Sequence, residues 1–177
     1  MQKNKQYLRR LCLGGLLVAL SIVFGKLLAF NIGELFRISF ENLPIVLAGI
    51  ALGPLWGALV GAVADLVGCL IVGYTVNPLI TLGAIAIGAV SGVVFKLWSA
   101  DTQAKVFLTV SMAHICGSIL IKTAGLSWFY GTDFFTLLFS RCANYALIIA
   151  LEYTIIYILI KNKGIREILS RLGGEKL

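Results

Sequence analysis

The sequence is poor in charged and ionisable residues. Only 13% of its 177 residues are Asp, Glu, Lys or Arg, against about 25% in an average soluble domain, and it has one histidine. Hydrophobic residues make up 59% of the chain, and the mean hydropathy is +0.96. Because a spanning helix needs about 20 mainly apolar residues, the chain is long enough for about six of them with short loops. This composition excludes a soluble catalytic domain and predicts an integral membrane protein.

Motifs typical of enzymes and metal sites are also missing. The chain has no G-x-x-x-x-G-K-[ST] phosphate loop and no G-x-S-x-G nucleophile elbow, and a single histidine excludes the H-E-x-x-H zinc motif. The four cysteines, at positions 12, 69, 116 and 142, form no C-x-x-C pair, and we expect them to be small buried apolar residues. The sequence therefore predicts no enzyme, no metal site and no cofactor.

Apolar runs separated by charged residues or glycine and proline predict an all-α bundle of six membrane spans, in a single domain over residues 1–177. The spans cover approximately 8–30, 43–53, 55–73, 78–98, 105–124 and 135–160. The second is short for a bilayer, so we expect neighbouring helices to shield it, with a tight turn at Gly53-Pro54. Residues 164–172 predict an amphipathic helix on the membrane surface or on a partner subunit.

The basic residues predict the orientation of the bundle. The chain has 15 Lys and Arg and eight Asp and Glu, a net charge of +7. With six spans, eleven of the basic residues lie on the side of the two termini, and the other four are Lys26, Arg37, Lys122 and Arg141. Because basic loops stay in the cytoplasm, we expect both termini to be cytoplasmic. The positive charge thus indicates topology in a lipid bilayer and not nucleic-acid binding.

Small residues four positions apart predict close contacts between helices, because they let two backbones approach. Such residues occur in the third and fourth spans, at Gly57, Gly61, Ala84, Gly88 and Gly92. Gly15 and Ala19 form another pair in the first span. That pair is either an internal contact or an outward docking face.

Polar and aromatic residues gather towards the side of the bundle opposite the termini. Ionisable side chains are costly inside a membrane, so they usually face a cavity or a partner. The residues that we expect to bind a ligand are Arg37, Phe40, Asp65, Tyr74, Asn77, His114, Lys122, Trp128, Tyr130, Arg141 and Asn144. Aromatic walls with cations and a few hydrogen-bonding groups suit a flat heterocycle that carries anionic groups. The pattern predicts a pocket that opens to the outer face.

Simpler roles compete at three of these positions. Lys122 can extend to the lipid headgroups, and Trp128 can belong to an aromatic belt at the membrane interface. His114 can be a hydrogen-bonded residue inside the bundle.

Two acidic residues lie deep in the predicted spans. Asp65 can bind the ligand, or it can form a structural ion pair with Arg141. Glu152 has no partner that the sequence indicates. Since a proton relay needs ionisable groups in successive spans, these isolated residues disfavour a proton-coupled carrier.

Four sequence runs resemble a known family. The chain is similar to the substrate-binding S components of energy-coupling factor (ECF) vitamin transporters, above all to the folate-type (FolT-like) branch. The similarity lies in RISFENLPI at 37–45, LAGIALGPLWGALVG at 47–61, DLVG at 65–68 and NPLITLG at 77–83. The resemblance covers nearly the whole chain.

The resemblance implies a high-affinity vitamin-binding subunit of an ATP-driven importer in the cell membrane. Its partners would be the transmembrane coupling protein EcfT and two cytoplasmic ATPases. Docking on EcfT would use Gly15 and Ala19, where the family usually has two alanines. The family also implies that the whole subunit topples in the membrane to carry its pocket inward, and we expect the loop 31–42 to cover the ligand.

For a folate-class vitamin, the resemblance implies separate roles for the charged residues. Asp65 would accept hydrogen bonds from the pterin edge, and Arg37, Lys122 or Arg141 would hold the glutamate carboxylates. Another vitamin or precursor, such as riboflavin or thiamine, is the alternative ligand. A stand-alone membrane carrier is the alternative function.

Overall fold

Helices make up most of the structure, a computed structural model that describes residues 2–26, 28–32, 36–99 and 101–173, with side chains at 4–26, 28–29, 38–99 and 101–171. The helices are α1 (Gln2–Lys26), α2 (Asn42–Leu52), α3 (Pro54–Val72), α4 (Pro78–Leu97), α5 (Thr102–Ala113), α6 (Lys122–Tyr130), α7 (Phe134–Lys161) and α8 (Lys163–Gly173). A π-helix (His114–Ile121) joins α5 to α6, and two short strands are β1 (Phe30–Ile32) and β2 (Phe36–Ile38).

Within the described residues, five helical segments are long and apolar enough to cross a membrane. They are Asn4–Lys26 of α1, then α3, α4, the continuous segment Thr102–Tyr130, and α7. The segment Thr102–Tyr130 ends six residues beyond the predicted span 105–124, because α6 continues it.

The short helix α2 lies inside the bundle. All 11 of its residues are buried, and it packs against α1, α3 and α4. A helix that is apolar on every side needs such a surrounding, because it has no polar face to turn outward. The expected shielding of this helix by its neighbours is confirmed.

The predicted all-α class is confirmed for the membrane-spanning part, but the chain also contains one short hairpin that the sequence did not predict. Strands β1 and β2 form an antiparallel hairpin, with Phe30 opposite Ile38 and Ile32 opposite Phe36. The segment 31–42, which was expected to be a loop, therefore contains regular structure. Each strand alternates apolar, polar and apolar residues, but three residues are too few for this period to predict a strand.

Helices α2, α3 and α4 approach one another at backbone contact. A Cβ atom on Gly57 would overlap the carbonyl oxygen of Gly88, and a Cβ atom on Gly88 would overlap the carbonyl oxygen of Gly57. Gly49 of α2 faces Ser91 and Gly92 in the same way. The predicted contact between small residues of the third and fourth spans is confirmed, and it leaves no room for larger side chains.

The turn between α2 and α3 needs glycine. Gly53 has φ of 91° and donates its N–H to Gly49 O over 3.0 Å, and Pro54 begins α3. An L side chain rarely adopts this backbone conformation, whereas proline has no N–H to lose at the first helical position. The predicted tight turn is confirmed.

The small pair on α1 faces outward. No atom from elsewhere in the described structure lies within 4 Å of a Cβ atom built on Gly15. Ala19 is exposed as well, and Leu16 beside it is 58% exposed. Of the two possibilities for this pair, an internal contact is excluded within the described part of the chain.

Three of the four cysteines differ from expectation, and one of these, Cys116, is partly buried. Cys69 is buried, but Cys12 and Cys142 are exposed. A helix that faces lipid has no need to hide a small apolar side chain, so apolar character does not predict burial here.

The start of α7 is capped by Asp133. Its Oδ2 accepts hydrogen bonds from Thr136 N over 2.8 Å and from Thr136 Oγ1 over 2.9 Å. These two bonds stabilise the carboxylate and hold the pKa of Asp133 below its usual value.

Helix α8 covers the segment for which an amphipathic helix is predicted. It packs against α1, α2 and α7, and Leu169 contacts the hydrophobic core. Ile168, in contrast, is 57% exposed. The tail thus covers its own bundle with part of its apolar face and leaves the rest free for a membrane surface or a partner.

Candidate ligand-binding cavity

A cavity of about 730 Å³ lies in the half of the bundle that is remote from α8. Its walls come from the end of α1, the start of α2, the second half of α3 with the turn after it, α6, and the first half of α7. Cavities for small ligands commonly measure about 300–1,000 Å³, so this one is large enough for a vitamin-sized molecule.

Among the residues whose side chains are described, five charged ones line the cavity. They are Lys26, Lys122 and Arg141, which are cationic, and Glu41 and Asp65, which are acidic. Positive charge is in excess by one among these side chains, in walls that otherwise combine polar, apolar and aromatic residues. Such a surface favours a ligand with anionic groups.

Lys122 is fixed in the cavity wall. It is 5% exposed, and its Nζ donates to Glu41 Oε1 and to Asn42 Oδ1, each over 3.2 Å. Ser21 Oγ donates to the Glu41 carbonyl over 2.6 Å and so ties α1 to the start of α2. Because a buried ammonium group needs such partners, Lys122 faces the cavity and not the lipid headgroups.

Asp65 and Arg141 both line the cavity but do not form an ion pair with each other. Asp65 Oδ2 accepts a hydrogen bond from Thr81 Oγ1 over 2.6 Å. Arg141 Nη2 donates to Ser118 O over 3.0 Å and to the Tyr145 hydroxyl over 3.4 Å. The purely structural ion pair is therefore not formed, and each side chain is held by different residues of the bundle.

Arg141 keeps hydrogen-bonding capacity for a ligand. Its guanidinium lies 5.2 Å from the centroid of the Tyr145 ring, which holds one face of the group. Its Nε is buried and makes no hydrogen bond to the part of the chain that the structure describes. A guanidinium with a free donor beside a cavity is well suited to a carboxylate.

Aromatic residues from two segments form the rim. Tyr74 and Tyr130 are 56% and 68% exposed, and Phe129 lies beside Tyr130 with ring centroids 5.2 Å apart. Lys26 Nζ lies 5.1 Å from the Tyr74 ring centroid. These rings offer flat apolar surfaces next to the cations.

The structure brings together Asp65, Tyr74, Lys122, Tyr130, Arg141 and Asn144, six of the eleven predicted ligand-binding residues. Four others do not line the cavity: Phe40, Asn77, His114 and Trp128. Arg37 lies in β2, and its side chain is outside the described residues.

Phe40 and Trp128 are placed away from the cavity by their elements. Phe40 packs against the hydrophobic core, next to the start of α2. Trp128 was expected in a loop, but it lies on α6 and is 73% exposed. The helical period turns Phe129 and Tyr130 towards the cavity and Trp128 away from it, so Trp128 does not line this cavity.

Asn77 has a structural role in place of the predicted ligand contact. It is 3% exposed, its Oδ1 accepts from Leu79 N over 3.0 Å, and its Nδ2 donates to Gly125 O over 3.0 Å. The side chain therefore caps α4 and joins it to α6.

Replacing Asn77 with alanine should lower the stability of the protein by about 2–3 kcal/mol, because the cap is lost and a buried carbonyl of Gly125 is left without its donor. Thermal unfolding in detergent measures the effect. Asn77→Ser, which keeps an oxygen that can accept for the cap and loses the amide that donates to Gly125, should lie between wild type and Asn77→Ala. An unchanged midpoint in Asn77→Ala would contradict the structural role.

His114 lies below the cavity and is completely buried. Its Nε2 is 2.8 Å from Glu152 Oε2, and its Nδ1 is 3.1 Å from Ser118 Oγ. The alternative of a hydrogen-bonded bundle histidine is therefore confirmed, and Glu152 gains the partner that the sequence does not indicate.

Sequence reasoning missed several residues of the cavity wall, among them Lys26, Glu41, Asn42 and Tyr145. Tyr145 follows Arg141 by four positions on α7, and helical spacing alone is a signal for that contact. Glu41 and Asn42 lie 81 and 80 positions from Lys122, and only the tertiary structure, which brings these side chains together, reveals them.

Comparison with known proteins identifies related chains. Residues 9–165 match the family model described as "ECF transporter, substrate-specific component". A solved structure, described as the crystal structure of FolT bound with folic acid, superposes with a TM-score of 0.70 and 29% sequence identity. The alignment covers 84% of this chain and 90% of that one.

Two curated proteins are similar in sequence. The folate transporter FolT of Clostridium novyi (strain NT) is 26% identical over 142 residues, which are 80% of this chain and 81% of that protein. The uncharacterized protein MG313 homolog of Mycoplasma pneumoniae is 36% identical over 73 residues, which are 41% of this chain. The matched region spans only a quarter of the length of the Mycoplasma protein, 25%.

Proposed function

Because the chain belongs to the family of ECF transporter substrate-specific components, we propose that it is the folate-binding subunit of an ATP-driven importer in the cell membrane. The observation that carries the proposal is the cavity, with its excess of cations, the carboxylate of Asp65 in its wall and its aromatic rim. Similarity to FolT proteins supports the same class of ligand. The role is binding, and ATP hydrolysis belongs to partner subunits.

The charged residues of the cavity match the two ends of a folate molecule. The Asp65 carboxylate accepts one hydrogen bond from Thr81 at Oδ2 and keeps acceptor capacity on both oxygens. These oxygens can accept from the two-donor edge of a pterin. Arg141 and Lys122 supply charge for the glutamate carboxylates. Phe129 and Tyr130 provide faces against which the rings can stack.

The proposed orientation has both termini in the cytoplasm and the cavity open to the outer face. With α2 counted as a sixth, partly shielded span, the helices alternate in direction and both ends lie on one side. The excess of basic residues on that side supports this arrangement. The ligand would enter from outside the cell.

The outward pair Gly15 and Ala19 is the proposed docking face for the transmembrane coupling protein, which in turn joins two cytoplasmic ATPases. Because Gly15 and Ala19 have at most a methyl group as side chain, the backbone of a partner helix can approach α1 closely at this face. A lipid-facing helix needs no such open strip.

Enlarging both residues of this face, Gly15→Leu with Ala19→Leu, should abolish folate transport and leave folic acid binding within about twofold, since neither residue lines the cavity. Uptake of labelled folic acid and co-purification of the ATPases measure the first effect. A matched control is Ala146→Leu with Ala150→Leu, because these two alanines are also exposed and four apart, on α7. Normal transport by the α1 variant would remove the face from the interface.

Titration of the purified protein with folic acid tests the ligand. We expect binding of folic acid with a dissociation constant in the nanomolar range, about −12 kcal/mol. Riboflavin and thiamine are the controls, because they have ring systems but lack the glutamate carboxylates. Binding of either control in preference to folic acid would assign a different vitamin to the cavity.

A further inference from the structure

A chain of hydrogen bonds runs from the interior of the bundle to the cavity. Glu152 Oε2 lies 2.8 Å from His114 Nε2, and His114 Nδ1 lies 3.1 Å from Ser118 Oγ. The carbonyl of the same Ser118 accepts from Arg141 Nη2 over 3.0 Å. Two groups of one residue thus link the buried pair to the guanidinium in the cavity wall.

A second contact links the same residues. The His114 ring lies 5.3 Å from the Tyr145 ring, centroid to centroid. Tyr145 contacts Arg141 through its hydroxyl at 3.4 Å and through its ring face at 5.2 Å. His114 therefore contacts both Ser118 and Tyr145, the two residues that hold the Arg141 guanidinium.

Burying the His114–Glu152 pair costs free energy, so the pair is not explained by stability alone. Both side chains are 0% exposed, and Glu152 Oε1 makes no hydrogen bond within the described part of the chain. Apolar residues of similar size often replace such a buried pair without loss of stability. The orientation of neighbouring side chains therefore explains the presence of this pair better than stability does.

The backbone at this point is unusual too. His114 begins the π-helix, whose wider turns run to Ile121 in an otherwise α-helical segment. A π-helical stretch is rare and often lies at a functional site, because it redirects carbonyl groups and side chains. Here the carbonyl of Ser118 is directed at Arg141 on α7.

We propose that His114 and Glu152 are positioning residues, which hold Arg141 through Ser118 and Tyr145 in the orientation that binds the carboxylates of the ligand. The proposal rests on the folate-binding function of the cavity. It assigns no ligand contact to the pair, since neither residue lines the cavity.

Two variants separate positioning from general packing. The double variant His114→Leu with Glu152→Leu removes the hydrogen-bonded pair and leaves no unpaired buried charge. Glu152→Gln keeps an oxygen that accepts from His114 Nε2, so it is the conservative control. Thermal unfolding of each variant shows whether it is folded.

The binding readout compares folic acid with pterin, which has the same fused ring system but no carboxylate. In the double variant we expect the dissociation constant for folic acid to rise about 10- to 100-fold. Losses of this size are known in metal sites, when a residue that hydrogen-bonds to a metal ligand is replaced. The constant for pterin should stay within about twofold of wild type, and Glu152→Gln should behave as wild type with both ligands. An equal loss with both ligands, or no loss with folic acid, would overturn the proposal.

A readout without ligand keeps the proposal independent of the identity of the vitamin. Side-chain ¹⁵N NMR of Arg141, assigned with Arg141→Lys, should show faster rotation and exchange of the guanidinium in the double variant and wild-type signals in Glu152→Gln. Unchanged Arg141 signals in the double variant would refute the positioning role. Failure of wild type to bind folic acid would refute the proposed function, while these spectra would still decide the positioning role.

Discussion

Arg141→Ala is expected to weaken folic acid binding by at least about 30-fold. Removing one partner of a buried, charge-assisted hydrogen bond commonly costs about 2–5 kcal/mol, since the carboxylate is left in the cavity without its cation. The guanidinium already lies in the wall, with Tyr145 beside it and with no described residue hydrogen-bonded to its Nε. Calorimetric titration of the detergent-purified protein measures the change.

Two further variants make this result specific. Arg141→Lys keeps the charge but loses the planar fork, so its affinity should lie between those of wild type and Arg141→Ala. Lys105→Ala removes a cation that does not line this cavity and instead lies with Nζ 4.1 Å from the Phe95 ring centroid, so its affinity should equal wild type. Equal losses from Arg141→Ala and Lys105→Ala would indicate a general charge effect and not a site.

Gly88→Leu is expected to disrupt the fold. A Cβ atom at Gly88 would overlap the backbone of Gly57, and backbone cannot move aside as a flexible side chain can. We expect a cost of at least about 3 kcal/mol, seen as a fall of about 6–12 °C in the unfolding midpoint or as loss of monodisperse protein. Size-exclusion chromatography and thermal unfolding in detergent measure both.

The matched control is Gly15→Leu, the same substitution on the outward face of α1. Because open space surrounds Gly15, this variant should purify and unfold as wild type does. Similar instability of the two variants would mean that added bulk, and not backbone contact between α3 and α4, explains the effect.

Some features of the cavity follow from short-range patterns. Asp65, Lys122 and Arg141 are ionisable residues within apolar runs, and the cost of burying charge in a membrane is enough to single them out. The close contact of α3 with α4 follows from glycines at helical spacing, including Gly57 and Gly88.

Other features depend on residues far apart in the chain. His114 and Glu152 are 38 positions apart, and each taken alone is an isolated polar residue on an apolar helix. Their pairing needs the packing of α7 against the π-helix. The π-helix itself has no sequence signal, because its wider turns depend on contacts with neighbouring helices.

Trp128 shows why the aromatic residues were harder to place. Trp128, Phe129 and Tyr130 are consecutive and alike in composition, so their character does not distinguish a cavity wall from a lipid-facing surface. The choice depends on whether the segment is helix or loop and on the rotation of that helix.

The sequence by itself determined that this protein lies in a membrane, which helix is too short to cross it alone, and which costly charges need a polar surrounding. These depend on composition and local spacing, because the transfer of each side chain into lipid has its own free energy. The tertiary structure alone decided which charges meet, as in Lys122 with Glu41 and Asn42, and which small pair faces outward. Those outcomes depend on the rotation and register of whole helices, which are set by packing among residues distant in the chain.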